Sequence, residues 1–328
     1  CWHAFGLTGT SPTHEPVRDR PLATRAASAP LAPPRPAAAM VALGLPLGPL
    51  LVAPAAIFLL VFFVVPAVQM IAYSVSGTVE SGVYRPGLTL ANYERLVAVD
   101  LYWIVLVRTV RVAALASIVA VFLAYPLALA IARGSTALVR LVTVVVIAPL
   151  LVNVVIRSYG WQAILNRRGA LAWLLETLGL YDGQVRVLYT EWAVLIASVH
   201  VFLPFMVLPL ASAIGRIDPA VEHAAAVAGA SPWRVFTRVT LPLSLPGLTV
   251  GVSLVFSLTA AAYVTPQILG GNFAPLLGTL IEQQVLTLHD WPFGAAISTA
   301  LIAMVLAVNL VLIRILSRRF ARWTAGAA

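Results

Sequence analysis

DPAVEHAAAVAGASPWRVFTRVTLP, residues 218–242, is neither apolar enough to cross a bilayer nor loose enough to serve as a linker. Asp218-Pro219 reads as an N-cap followed by proline at the first helical position, and Glu222 falls near the positive end of the helix dipole. Ala224-Ala225-Ala226 favours helix with almost no side-chain bulk. Gly229 then stops that helix, because glycine takes the left-handed cap conformation cheaply. Ser231-Pro232 repeats the cap-plus-proline signal and opens a second short helix, predicted to end before Leu241-Pro242. The stretch is a helix–turn–helix between two apolar segments, and its first helix offers a smooth face that another protein can approach closely.

The rest of the chain sets this loop in a membrane. Of 328 residues 61% are hydrophobic and only 10% charged, with a mean hydropathy of +0.95, whereas soluble domains carry about 25% charged residues. All 21 basic residues are arginine. They lie scattered at segment ends instead of forming one stripe, which fits membrane topology and argues against nucleic-acid binding. Cys1, the single cysteine, permits neither an intrachain disulfide nor a thiolate metal site.

Six apolar segments follow Met40, at 50–73, 104–132, 138–159, 192–214, 243–264 and 293–316, each near the roughly 20 residues a spanning helix needs. The fold class is therefore an all-α membrane protein with six transmembrane helices. Residues 1–39 are Ala/Pro-rich and are expected to be a disordered extension, with 40–328 as the membrane domain and 216–242 as its principal loop. The first segment is too long for a signal-peptide core and should stay as an anchor. Arg314, Arg318, Arg319 and Arg322, set against the arginine-free loop 265–291, place the C-terminus, the N-terminus and loop 216–242 in the cytoplasm. Arg108 and Arg111, in the opening turns of the second span, either snorkel to the interface or face the interior. The long outer connections, 75–103 and 160–191, contain helix-like pieces at 90–97 and 170–178. They either dock an external partner or pack over the bundle mouth.

The absences narrow the function. No GxxxxGK[ST] loop, HExxH, CxxC or GxSxG is present, so the usual nucleotide, metal and nucleophile signatures are missing. None of the twelve carboxylates falls in the middle of a span. An ion-coupled carrier usually keeps an ionisable group there, so energy is expected from a partner.

At this point the residues carry a resemblance. Residues 218–242 resemble the cytoplasmic "EAA" loop of permease subunits of bacterial ABC importers, E-A-A-x3-G-x9-I-x-L-P. Here the pattern reads His223-Ala224-Ala225, three residues, Gly229, nine residues, then Val239-Thr240-Leu241-Pro242. His223 stands where the pattern has its acid, and Glu222 lies one position earlier, about 100° around the helix. The chain from Met40 onward is most similar to the spermidine/putrescine branch. Leu88-Thr89-Leu90-Ala91-Asn92-Tyr93 resembles that branch's first outer loop and residues 202–210, FLPFMVLPL, its fourth span. Val264-Thr265-Pro266, Leu269-Gly270-Gly271 and residues 290–296, DWPFGAA, resemble its last outer segment. Ala262 occupies a place where many relatives carry an acid.

The resemblance implies the type I importer permease fold in a bacterial cytoplasmic (inner) membrane. It implies a second, related permease chain, an ATPase dimer that binds ATP-Mg in place of this chain, and a periplasmic or extracellular binding protein delivering a small solute, a polyamine first. An opine, an iron chelate or an oxyanion is the alternative solute, and a stand-alone carrier or channel the alternative class. In the coupling loop Ala224, Ala225 and Gly229 would seat the helix in an ATPase groove. Glu222, His223 and Arg234 would supply polar contacts at its margin, and Leu241-Pro242 would pass the movement to the fifth span. Phe236 and Val239 are expected to pack on the bundle. Asn153, Arg157, Tyr159 and Trp161, with Tyr263 and Thr265, either line the route or anchor the interface. His200 is expected to be a hydrogen-bonded interior residue. Pro126, Pro149, Pro204, Pro209 and Pro246 are candidates for bends.

Overall fold

The computed structural model describes residues 47–80, 82–179 and 186–325, without the side chains of 47–51, 80 and 316–325. The expected disordered extension 1–39 and the side chains of Arg318, Arg319 and Arg322 lie outside that description. The chain divides into two units, Cys1–Leu60 and Val61–Ala328. The described part of the first is helix α1 (Leu47–Leu59), which contains Pro54.

The second unit opens with α2 (Val65–Ser74), a hairpin of β1 (Gly77–Glu80) and β2 (Val83–Pro86), then α3 (Ala91–Ala98). The LTLANY stretch organises this corner. Buried Asn92 donates through Nδ2 to the carbonyls of Ser74 (3.0 Å) and Gly77 (2.8 Å), and the Tyr93 and Ser74 hydroxyls lie 2.7 Å apart. Thr89 Oγ1 accepts from the Ala91 N–H as α3 begins. Backbone groups released at the end of α2 are thereby satisfied.

The 34-residue helix α4 (Asp100–Arg133) follows, at about 51 Å longer than a hydrocarbon core. Next come α5 (Thr136–Leu151), α6 (Val154–Leu165), α7 (Ala170–Thr177) and α8 (Glu191–Gly215). Then follow α9 (Pro219–Val227), α10 (Pro232–Val235), α11 (Leu241–Ala261), α12 (Val264–Leu269), α13 (Leu277–Glu282) and α14 (Trp291–Ala325). Five stretches are long and apolar enough to span a membrane: Val52–Ser74, Asp100–Arg133, Glu191–Gly215, Pro232–Ala261 and Trp291–Ile315.

Helices α4, α8 and α11 form the centre, and small residues let them approach. Ala113, Ala116, Ser117, Ala120, Ala124 and Ala128 make a buried stripe on α4. On α11 a Cβ at Gly247 would lie 2.4 Å from Ala213 Cβ, and one at Gly251 would lie 2.6 Å from Met206 Sδ. Between apolar helices in lipid there is no hydrophobic gain, so close backbone approach and interhelical hydrogen bonds supply the cohesion. The Tyr125 and Ser244 hydroxyls, 3.0 Å apart, tie α4 to α11, while Asn309 Nδ2 donates to Ser257 Oγ at 2.9 Å between α14 and α11.

Two expectations need correction. The third span, expected as one helix over 138–159, is broken: Thr136–Leu151 and Val154–Thr177 meet at 104°. Pro149 stands just before the break, Val152 and Asn153 are extended, and Asn153 caps α6 by accepting from the Val155 N–H at 2.8 Å. The helix opened by Ser231-Pro232 does not end before Leu241-Pro242. It runs without interruption from Pro232 to Ala261 through a π turn at Phe236–Thr240. Pro242 has no N–H to give the preceding turn, and the Leu241 N–H bonds to the Phe236 carbonyl five residues back. The helix widens and continues.

Candidate coupling site and translocation path

Helix α9 is capped at both ends by its own sequence. Asp218 Oδ1 accepts from the Ala220 N–H at 2.9 Å. At the other end Gly229 adopts φ +85°, the Gly229 N–H bonds to the Ala226 carbonyl (3.0 Å) and the Ala230 N–H to the Ala225 carbonyl (3.1 Å). These two bonds are the Schellman arrangement, which leaves the last carbonyls satisfied. A Cβ at Gly229 would meet nothing within 4 Å.

Glu222 turns inward. Its Oε1 accepts from Thr240 Oγ1 at 2.8 Å and its Oε2 from Arg133 Nε at 3.2 Å, while Arg133 Nη2 donates to the Ile217 carbonyl at 2.7 Å. One carboxylate therefore joins α9 to the last residue of α4 and to the turn leading into α11. His223, Ala224 and Val227 are exposed, Ala225 is half-buried, and Val227 keeps 90% of its surface. Arg234 and Trp233 are exposed on α10, whereas Phe236 packs edge-on against Tyr125 and Pro242 is buried. Val239 and Leu241 are half-buried. The arrangement has an apolar, small-residue face outside and an ionic tie inside.

The broken third span gathers a second group. Arg157 Nη1 donates to the Pro149 carbonyl in the last turn of α5, which also accepts from the Val152 N–H at 3.4 Å. Trp161 Nε1 donates to His200 Nδ1 at 3.2 Å, with the rings edge-to-face at 5.4 Å. The hydroxyls of Ser158 and Thr265 lie 3.2 Å apart. Asn153, Arg157, Trp161, His200 and Thr265 thus converge on the half-helix α6 and its contacts with α8 and α12. His200 is a hydrogen-bonded, half-buried residue as expected. Tyr159 and Tyr263 are about half exposed, at 56% and 48%. Tyr263 faces a different recess, shared with Glu282 on α13.

Residues 113–324 match the family of binding-protein-dependent transport system inner membrane components. The chain belongs to this family. It is the membrane-spanning permease subunit of an ABC importer. Among similar proteins, the spermidine/putrescine transport system permease protein PotB of Escherichia coli strain K12 is 34% identical over 244 residues, 74% of this chain and 88% of that one. PotB of Haemophilus influenzae is 33% identical over 264 residues, 79% of this chain and 92% of that one. The fold matches a chain of a bacterial alginate ABC transporter solved in complex with its alginate pentasaccharide-bound periplasmic protein. The TM-score is 0.68 with 19% identity, over 83% of this chain and 94% of that one.

Several charged groups of the permease went unassigned in the sequence. Arg133 and Thr240 hold Glu222, but they lie 89 and 18 residues from it in sequence, too far for a helical spacing rule. At the opposite end of the bundle Arg108 Nε donates to Glu191 Oε1 at 3.0 Å and Arg111 Nη2 bonds the other oxygen. With 19% of its side chain exposed, Arg108 faces α8, while Arg111 at 55% stays near the surface. Nearby Arg95 pairs with buried Asp290 at 3.0 Å and lies 4.0 Å over the Phe293 ring. Asp290 Oδ1 also accepts from the Phe293 N–H, capping α14. An acid directly before a Trp-Pro helix start was the legible part of that signal.

Proposed function

We propose that this permease admits a polyamine, spermidine or putrescine, handed over by an external binding protein. It acts with a second, related permease chain and two ATPase subunits that bind ATP-Mg. Both chain ends and loop 216–242 lie in the cytoplasm, so α4, α8 and α11 run between an ATPase side and a delivery side. The ATPases grip the exposed face of α9 through Ala224, Ala225, His223 and the Gly229 turn, with Arg234 at its margin. Motion then enters the spans through Glu222, which is bonded to Arg133 on α4 and to Thr240 just ahead of Leu241-Pro242. That double tie is the observation carrying the coupling reading, since a helix bonded to two spans cannot shift without moving them. His223 occupies the patterned acid's place on the exposed face, where it is free to meet the ATPase, and Glu222 supplies the internal bond. The broken third span, with Asn153, Arg157, Tyr159, Tyr263 and Thr265, borders the route.

The polyamine reading is supported by the relatives named for spermidine and putrescine transport. The test is uptake of radiolabelled spermidine into liposomes carrying the two permeases and both ATPases, with the binding protein outside and ATP inside. ATP-dependent accumulation that needs the binding protein is expected. Accumulation by this chain alone, driven by an ion gradient, refutes the reading, and saturable transport of an oxyanion without spermidine uptake replaces the solute.

A further inference from the structure

Helix α13 comes so close to the end of α11 that a Cβ at Gly278 would lie 2.5 Å from the Ala262 carbonyl oxygen. Glu282 stands four residues beyond Gly278, one turn on and on the same helix face. It is therefore directed back toward the joint between α11 and α12, where its Oε2 accepts from Gln267 Nε2 at 3.2 Å. Two recesses share this carboxylate. One, of about 210 Å³, has a lining that is about half polar and includes Gln267, Asn272, Thr279 and Gln283. The other, of about 330 Å³, is largely apolar and is lined by Tyr263, Ile281, Val285 and Leu286.

The electrostatics set this acid apart from the arginine-paired ones. Glu191, Glu222 and Asp290 each pair with arginine, whereas among the described residues Glu282 meets no basic side chain. Segment 265–291 contains no arginine at all. The bond from neutral Gln267 fills one of about four acceptor positions on the carboxylate, and its charge is left uncompensated. We propose that Glu282, with Gln267 and Tyr263, receives one alkylammonium group of the solute at the delivery-side mouth. The ammonium donates to Glu282 and to the Gln267 amide oxygen, and the Tyr263 ring adds a cation–π face. The methylene chain lies in the adjoining apolar recess. Glu282 is thus a specificity residue that admits cations and repels oxyanions. The choice of a polyamine as its ligand rests on the proposed function.

The test uses the whole transporter in nanodiscs without binding protein, with Cys1 replaced by serine and the exposed recess residue changed by Asn272→Cys as a maleimide reporter. Putrescine and spermidine should slow labelling, and uncharged 1,4-butanediol should not. Glu282→Gln should raise the half-protecting amine concentration about tenfold, as loss of a partly exposed charge-assisted hydrogen bond does, and Glu282→Asp should retain part of the protection. Equal protection by butanediol, no protection by either amine, or unchanged protection in Glu282→Gln overturns the proposal. Spermidine uptake by the unaltered transporter is scored separately: its absence sinks the polyamine reading, while the labelling series still decides Glu282.

Discussion

Replacing Glu222 by glutamine should uncouple ATP hydrolysis from transport. The change keeps the side chain's shape and removes its charge, so the Arg133 bond loses its ionic character and the Thr240 hydroxyl, only 3% exposed at the residue level, loses its anionic acceptor. A hydrogen bond to a charged group contributes about 1.5–3 kcal/mol and a neutral one about 1 kcal/mol. Glu222 and Arg133 keep 19% and 26% of their side-chain surface, so solvent screening lowers the sum, and about 2 kcal/mol is a reasonable loss. That corresponds to about a 30-fold rise in the population of α9 detached from α4 and α11. Hydrogen exchange on the assembled transporter should show amide protection across Pro219–Val227 falling by about that factor. In liposomes the solute taken up per ATP hydrolysed should drop several-fold, with the ATPases still bound. Thr240→Val combined with Glu222→Gln should cost less than the sum of the single changes, because both remove one contact. Unchanged protection together with unchanged uptake per ATP would falsify the tie.

Two further outcomes follow from the backbone and the far-end ion pair. Gly229 has φ +85° with open space beyond its α-carbon, so Gly229→Ala should cost about 1–2 kcal/mol of local strain and Gly229→Asn less. Gly229→Asp carries a comparable backbone strain but its side chain meets open space, so it should leave the chain in the membrane while reducing ATPase co-purification and uptake; normal uptake in that variant counts against the docking face. Asp290→Asn should lower stability by about 1 kcal/mol through the Arg95 pair, and Asp290→Ala by about 1 kcal/mol more through the lost N-cap. Thermal unfolding of the solubilised transporter measures both, and equal midpoints for the two variants would dissociate Asp290 from the capping role.

The legible parts of the chain share one property: the signal and its structural consequence lie within a few residues. Apolar length marked the spans, and Asp218-Pro219 and Gly229 marked both ends of α9, because caps act over a single turn. The same locality explains the two corrections. Pro149 bends no helix by sequence alone; the 104° turn also needs extended Val152 and Asn153, with Arg157 reaching back to the Pro149 carbonyl. Leu241-Pro242 looked like a stop, yet a π turn absorbs the missing N–H, and the packing of Phe236, Leu241 and neighbouring residues on the bundle accompanies that continuation.

By itself the sequence determined a multi-span membrane chain with a loop whose first helix is capped at both ends, and the spaced Ala-Ala…Gly…Leu-Pro pattern carried its resemblance to importer permeases, since hydropathy, caps and spacing are local properties of the chain. Which carboxylate does what was decided only by tertiary structure. Glu222, Glu191 and Asp290 find arginines 89, 80 to 83 and 195 residues away, and Glu282 finds none among the described residues. A charge's role depends on the potential and the donors around it. In a bundle of long helices those are set by residues that come together only when the spans pack.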